Sequence, residues 1–282
     1  KKKDLKHKTL VDAFIYPNLG TGMIYERMLK KILNLGSNIY FNKPVKAVKP
    51  NKQVEIIFQN GSVQHYDEII STMPITNLVQ SMQSIASNEV MKCIDTLKFR
   101  NTILVYLEIK NEKIFPDQWI YVHTQKLKTG RITNFRNWAS TINKNKKETI
   151  LCLEYWANND TKLWNETDKN LINLASKEIV ETGLVSKNLI EKGHVIRLPK
   201  CYPVYSLGYK EKLQPVKDFL DEFNNISVIG RYGSFKYNNQ DHSILMGLLA
   251  AENIAENKKH NLWDLNTDYE YQESGELQIK KN

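Results

Sequence analysis

The sequence has few cysteines and no long apolar run. Its three cysteines, Cys93, Cys152 and Cys201, lie far apart and show no CxxC spacing. This pattern supports neither a disulfide framework nor a metal site of the zinc type, and it is typical of a reducing, cytoplasmic location. The sequence also lacks an apolar stretch of about 18 residues and a recognisable signal peptide, so no membrane-spanning helix is predicted.

The sequence also lacks the interleaved basic and aromatic residues of a nucleic-acid-binding module. The formal net charge is +9, but the lysines are dispersed over the chain. We therefore expect a small-molecule substrate and no nucleic-acid partner. A peripheral contact with an anionic membrane surface stays open, because dispersed positive charge also suits such a surface.

A dinucleotide-binding GxGxxG fingerprint is absent as well. Gly20-Thr21-Gly22 comes nearest, but Tyr25 stands where a third glycine would be. No strand-helix-strand unit with a ribose-binding acid follows, and a lone GxG is a weak signal. We interpret this stretch as a turn that begins a helix over about residues 23–35.

The most informative stretch runs from Ile226 to Ile254 and reads as an apolar strand, a glycine turn, a polar loop and an apolar helix. Gly230 lets the backbone pass close to a ligand, and Arg231 offers a planar cationic fork that suits phosphate oxygens. Asp241 or Asn239 can cap the helix, whose N-terminus favours negative charge. The stretch predicts a site for an anionic ligand. The alternative is an ordinary strand-loop-helix with a solvated arginine.

Three short phrases in this stretch resemble a known cofactor motif: Gly230-Arg231-Tyr232-Gly233, Phe235-Lys236-Tyr237 and Asp241-His242-Ser243. They are similar to the closing FAD motif of the flavin amine oxidase and protoporphyrinogen oxidase superfamily. Within it, the UDP-galactopyranose mutases and related polysaccharide-synthesis flavoproteins are most similar. The segment from Tyr16 to Glu26 and the phrase ending in Ser71-Thr72-Met73-Pro74 also match the superfamily.

The resemblance implies FAD as the cofactor and places residues around it. Gly230 and Arg231 would lie by the pyrophosphate and ribityl chain, and Val45 would lie beside the adenine. The N-terminus of the last helix, with Asp241, His242, Ser243 and Ile244, would face the flavin pyrimidine edge with free backbone amides, that of Ser243 included. Burial of the apolar sides of this helix would then fix its direction, through Ile244, Leu245, Leu248, Leu249 and Ala251. From the residues alone, His242 is interpreted as a capping or solvated histidine, and no catalytic acid or base is identified.

Hydrophobic periodicity predicts an α/β fold with two parts. Residues 1–85 and 210–256 are expected to form a partial Rossmann-like FAD domain, with residues 226–230 beside residues 67–72 in one sheet. Residues 86–209 are expected to form a substrate domain with a mixed sheet. Strands are predicted at 39–48, 54–58 and 65–71, with an Asn60-Gly61 hairpin turn, and then at 102–109, 119–124, 131–138, 149–156 and 195–198. Helices are predicted at 75–92, at 168–182 with Thr167 or Asp168 at its start and Gly183 as its C-cap, and at 210–222. The tail, 257–282, is expected to be polar and frayed.

Three functional hypotheses stay open. The first is an FAD-dependent oxidoreductase, and the second is a mutase-like, non-redox isomerase of a sugar nucleotide, in which Arg231, Tyr237 and Tyr205 would bind the substrate. The mutase pattern places its aspartate nearer to the tyrosine than Asp241 is to Tyr237. The third is a non-catalytic binding subunit. Because family members begin with a GxGxxG unit, we expect this chain to be the C-terminal part of a longer flavoprotein, inactive alone.

Overall fold

A computed structural model describes residues 15–143 and 146–265. The described chain forms two compact units. The first unit combines residues 41–99 with 202–265, and the second combines residues 15–40 with 100–201. Both contain helices and sheets, which agrees with the predicted α/β class.

The helices are α1 (Gly22–Asn34), α2 (Ile75–Ser81), α3 (Asn88–Thr96), α4 (Asp168–Glu181), α5 (Tyr209–Asp221), α6 (Gly230–Gly233) and α7 (Gln240–Ala255). The strands are β1 (Val45–Lys49), β2 (Val54–Phe58), β3 (Val63–Tyr66), β4 (Ile69–Ser71), β5 (Phe99–Ile109), β6 (Trp119–Tyr121), β7 (Arg131–Asn134), β8 (Thr149–Ala157), β9 (Ile190–Pro203) and β10 (Ile226–Val228). Among these, no helix combines the length and the apolar character that a membrane crossing requires.

In the first unit, β1, β2 and β3 form an antiparallel meander. The predicted Asn60-Gly61 turn joins β2 to β3: Gly61 has a φ of +81°, and the Asn60 side-chain oxygen accepts the Ser62 amide at 3.1 Å. Glycine suits this left-handed position because it has no Cβ to clash. The hairpin prediction is confirmed.

A second, two-stranded sheet in this unit is parallel and pairs β4 with β10, in the register Ile69 to Ile226 and Ser71 to Val228. The sequence predicted this neighbourhood of residues 226–230 and 67–72, and the register confirms it. The single strand expected at 65–71, however, is two strands in different sheets. The chain changes sheet at Asp67, whose carboxylate accepts a bond from Gln53 at 2.8 Å.

Helices α2, α3 and α5 contribute to the core of the first unit, with fully buried Leu78, Val79 and Val216 at its centre. The predicted helix at 75–92 is interrupted after Ser81. Ser87 then caps a new helix by accepting the Val90 amide at 3.2 Å, since serine side chains compete well for exposed first-turn amides. The prediction of one helix is therefore wrong.

The apolar sides of α7 are also distributed differently from the sequence interpretation. We expected Ile244, Leu245, Leu248, Leu249 and Ala251 to be buried. Instead, Met246 and Ala250 are buried, while Ile244 and Leu248 are 42% and 59% exposed. Because α7 is apolar around most of its circumference, periodicity alone does not define its inner side.

The second unit is built on a five-stranded sheet in the order β6-β7-β8-β5-β9. Helix α4 buries Leu171, Ala175 and Ile179 in a core that includes Ile103 and Leu107 of β5. Thr167 caps α4 by accepting the Asn170 amide at 3.2 Å, and Gly183 follows the helix with a φ of +75°. Both end signals were predicted and are confirmed.

Strand β9 is longer than expected. The sequence predicted a short strand that ends at Pro199, but β9 continues through Pro199 to Pro203. Its place at the edge of the sheet explains the difference, because an edge strand tolerates a residue without a backbone N–H.

A buried carboxylate joins α4 to the sheet. Glu178 is 4% exposed and accepts bonds from the amides of Lys128 and Thr129, at 2.7 and 3.1 Å, and from the Tyr155 hydroxyl at 3.0 Å. Burial, reinforced by this negative charge, raises the pKa of Tyr155. On β7 and β8, Arg131 donates a bidentate pair of bonds to Glu154 at 2.7 and 2.8 Å. The buried charges in these two groups are thus paired with donors.

Candidate functional site

The candidate site lies in the first unit, where β10 ends. The Ile229 amide donates to the Ser71 carbonyl at 3.0 Å, which holds the chain beside the end of β4. Gly230 follows with a φ of +80°, and a Cβ placed on it would meet nothing within 4 Å. At Gly233 a Cβ would come within 3.0 Å of the Ser71 carbonyl oxygen. Gly230 is therefore needed for its backbone conformation and leaves open space beside it. Gly233 lets the chain pack closely against the Ser71 carbonyl.

Arg231 lies against two aromatic rings that also stack on each other, with their centroids 5.4 Å apart. Its guanidinium carbon lies 4.8 Å from the ring centroid of Tyr202 and 5.2 Å from that of Tyr237. Such cation–π contacts fix a guanidinium without using its N–H groups. The Arg231 Nε is buried and has no hydrogen-bond partner among residues 15–143 and 146–265. The arginine is oriented, and one donor is unused.

Tyr205 and Tyr237, the predicted substrate residues, lie together beside Arg231. The Tyr237 amide donates to the Tyr205 hydroxyl at 2.9 Å, and the two ring centroids are 5.8 Å apart. Tyr205 also stacks on Tyr209, with centroids at 4.3 Å. Both predicted residues remain more than 40% exposed. Tyr205, Tyr209 and Tyr237 thus form a partly exposed aromatic cluster beside the Arg231 guanidinium.

The N-terminus of α7 differs from the prediction in its capping. Asn239 is the cap residue, but neither it nor Asp241 makes a side-chain capping bond. Asp241 Oδ1 instead contacts His242 Nδ1 at 2.8 Å, and Asp241 Oδ2 is buried without a partner in the described chain. His242 is 1% exposed, so its interpretation as a capping or solvated histidine is wrong.

Ser243 is already used within the helix. Its amide and its hydroxyl both donate to the Asn239 carbonyl at 3.1 Å. The expectation of a free Ser243 amide is therefore wrong, whereas Asp241 and His242 occupy first-turn positions, where amides lack intrahelical acceptors. Ile244, the next residue, is 42% exposed.

Sequence reasoning missed Asn238, Met246 and Tyr202. Asn238 is 2% exposed. Its side-chain nitrogen, Nδ2, donates to the Met246 sulfur at 3.2 Å, and its Oδ1 has no partner in the described chain. The Met246 sulfur also accepts the Gly230 amide at 3.4 Å. No spacing rule identifies these residues, because the loop conformation brings them together.

Val45 lies elsewhere in the first unit. It begins β1, pairs with Phe58 beside a bulge, and packs partly buried against the main core. It belongs to the meander, whereas Gly230 and Arg231 follow the β4–β10 pair. In the described ranges no group of three or more His, Cys, Asp or Glu side chains is arranged to hold a metal ion.

A family model for flavin-containing amine oxidoreductases matches residues 8–182, more than half of the chain. A solved structure of reduced UDP-galactopyranose mutase superimposes with a TM-score of 0.76 at 23% identity, over 87% of this chain and 54% of that one. A structure assigned as a protoporphyrinogen oxidase, from an Exiguobacterium species, superimposes with a TM-score of 0.61 at 17% identity, over 76% of this chain and 46% of that one. A putrescine oxidase triple mutant superimposes with a TM-score of 0.62 at 12% identity, over 85% of this chain and 53% of that one.

At these low identities, the superpositions show a common fold and nothing further. The chain spans about half the length of the solved structures it matches. The structural matches agree with the predicted α/β fold class, and the division into an FAD domain and a substrate domain stays a prediction. They leave the individual site residues as predictions.

Proposed function

Because this chain belongs to the family of flavin-containing amine oxidoreductases, we propose that it contributes the C-terminal side of an FAD site in an FAD-dependent oxidoreductase. FAD is the cofactor that the family implies. The single observation that carries the proposal is Arg231, which two tyrosine rings orient while its buried Nε has no acceptor within the described residues.

The residues of the first unit fit this cofactor. The diphosphate of FAD offers acceptors for the Arg231 guanidinium, and its ribityl hydroxyls are donors. Buried acceptors without a donor in the described chain are available at Asn238 Oδ1 and Asp241 Oδ2. Gly230 leaves space where another residue would have a side chain. Unpaired buried polar atoms cost free energy, and a bound ligand with matching groups recovers it.

In this proposal FAD supplies hydride acceptance, and the chain supplies orientation and electrostatics. Arg231 binds the phosphate or ribityl oxygens, and Val45 lies by the adenine. The first turn of α7, at Asp241 and His242, presents amides and a positive dipole end that favour negative charge on the pyrimidine edge. Ser243 and Ile244 belong to the same turn region. Residues 100–201 then form the substrate part.

A second candidate is a mutase-like isomerase of a sugar nucleotide, with a role in polysaccharide or lipopolysaccharide synthesis. What favours it is the position of Tyr237 and Tyr205 beside Arg231, since an arginine fork with tyrosine hydroxyls suits a sugar diphosphate. A third candidate, a non-catalytic binding subunit, predicts that no flavin is bound.

The test is flavin binding by the purified chain and its Arg231→Ala variant. We expect the substitution to weaken FAD binding by roughly 1.5–3 kcal/mol, the value of a charge-assisted hydrogen bond. Titration with FAD, followed by flavin fluorescence, measures the dissociation constant. Lys210→Ala, an exposed cation of the same unit, is the matched control and should leave it unchanged.

Equal affinity of the wild type and Arg231→Ala would contradict the role of Arg231, and no binding by the wild type would favour the third candidate. Flavin-loaded protein then separates the first two candidates. Oxidation of a C–H substrate with flavin reduction supports the oxidoreductase. Isomerisation of a sugar-nucleotide ring without net flavin reduction supports the mutase-like enzyme.

A further inference from the structure

Residues 257–265, here called the strap, fold back onto the first unit. The Asn253 side chain makes two hydrogen bonds with the backbone of His260. Its Nδ2 donates to the His260 carbonyl at 2.9 Å, and its Oδ1 accepts from the His260 amide at 2.8 Å. The Trp263 indole N–H donates to Asp221 of α5 at 3.0 Å. The expectation of a frayed tail is thus wrong for the strap, and residues 266–282 lie outside the described part of the chain.

Lys236 connects the strap to the candidate site. Its ammonium group donates to the carbonyl oxygens of Trp263 and, at 2.8 Å, of Leu265. Its own amide donates to the Arg231 carbonyl at 3.0 Å. The next residue, Tyr237, places its ring against the Arg231 guanidinium. One residue therefore holds the strap with its side chain and Arg231 with its backbone.

The strap also covers the apolar side of the same loop. Leu262 and Leu265 pack against a small buried cluster of Ile229, Met246 and Ala250. Met246 in turn accepts the Gly230 amide through its sulfur. The strap consequently supports both ends of the turn that presents Arg231.

We propose that the strap, acting through Lys236, positions Arg231 for its anionic ligand; the ligand part of this inference rests on the proposed flavin function. Lys236 is a positioning residue, because it acts through bonds to the backbone carbonyls of Arg231, Trp263 and Leu265. Replacing it with methionine keeps the length of the side chain but leaves the strap carbonyls of Trp263 and Leu265 without their donor. The turn then loses one of its supports while its apolar contacts stay.

The first experiment follows hydrogen–deuterium exchange of the amides of residues 230–238 in the ligand-free chain. We expect Lys236→Met to speed their exchange by about tenfold, because the variant loses the charge-assisted bonds to the two strap carbonyls. Lys236→Arg should restore slow exchange, because arginine also donates to carbonyls. Lys258→Met is the matched control: Lys258 also lies in the strap but pairs only on the surface with Glu252 and Glu256 at 2.9 Å.

The same variants are then titrated with FAD. We expect Lys236→Met to weaken binding by about tenfold, with Lys236→Arg and Lys258→Met close to the wild type. Trp263→Phe removes the indole N–H bond to Asp221 and reduces the ring that contacts Lys217, and it provides a milder second variant if Lys236→Met does not fold. It should raise exchange in residues 230–238 by a smaller factor.

The outcomes separate the two proposals. Unchanged exchange in residues 230–238 of folded Lys236→Met, or faster exchange throughout the second unit as well, overturns the positioning role. Faster local exchange in a chain that binds no FAD supports the positioning role and contradicts the flavin function. Faster local exchange together with an FAD affinity that depends on Arg231 but not on Lys236 overturns the ligand part of the inference.

Discussion

The two units differ in whether their buried polar groups have hydrogen-bond partners. In the second unit Glu178 accepts three hydrogen bonds and Glu154 two from Arg131. In the first unit three buried polar atoms of the turn and the α7 N-terminus, on Arg231, Asn238 and Asp241, have no partner in the described chain. The Thr102 hydroxyl is an exception in the second unit. Paired groups indicate a structural role, while a cluster of unpaired groups indicates a place for a ligand.

The largest effect is expected for Glu178→Ala, which tests the structural side of this comparison. The substitution leaves two backbone amides and the Tyr155 hydroxyl buried without an acceptor, so we expect a loss of about 3–5 kcal/mol in the free energy of unfolding. Urea denaturation followed by circular dichroism measures it. The neighbouring exposed acid Glu181 offers a control, Glu181→Ala, which should change the free energy little. A loss below about 1 kcal/mol would contradict the structural role.

Two glycines allow the same substitution to be compared across the units. A Cβ on Gly130 would lie 2.0 Å from the Trp156 ring, whereas a Cβ on Gly230 would meet nothing within 4 Å. We expect Gly130→Ala to cost about 1–3 kcal/mol of stability through overpacking. Gly230→Ala should cost only about 1 kcal/mol, from its positive φ. The reverse order in thermal or urea unfolding would show that the turn at Gly230 is the more confined one.

The smallest effect is expected for Arg231→Met, judged by stability. Its guanidinium makes ring contacts but leaves Nε without a partner, so removing the charge should change the free energy of unfolding by less than about 0.5 kcal/mol. The same urea measurement, without flavin, tests this expectation. A loss as large as that of Glu178→Ala would make Arg231 a structural residue and remove the contrast between the units.

The sequence was informative where local chemistry determines the structure. The Asn60-Gly61 turn and the Thr167 cap of α4 follow from turn residues and capping residues. The inner side of α7 could not be predicted, because a helix that is apolar all round has no preferred side. Burial of His242 and Asn238 depends on the path of the 230–238 loop, which no local rule encodes.

The candidate site was predicted in the same uneven way. Gly230, Arg231, Tyr205 and Tyr237 were selected by type and spacing, and the structure brings the last three into one cluster. The contact of Tyr202 with Arg231 and the link from Lys236 to the strap could be found only from the structure. Their signals are long-range contacts, which a single sequence does not reveal.

The discontinuous course of the first unit has a consequence for synthesis. Its strand β4 is made early, its parallel partner β10 follows about half a chain later, and residues 100–201 of the second unit are translated between them. On the ribosome the second unit can therefore complete its sheet while β4 still waits for β10. During this interval the apolar residues of 41–99 lack the helix α5 that buries them, so this half of the first unit is the part of the nascent chain most exposed to aggregation and to chaperones.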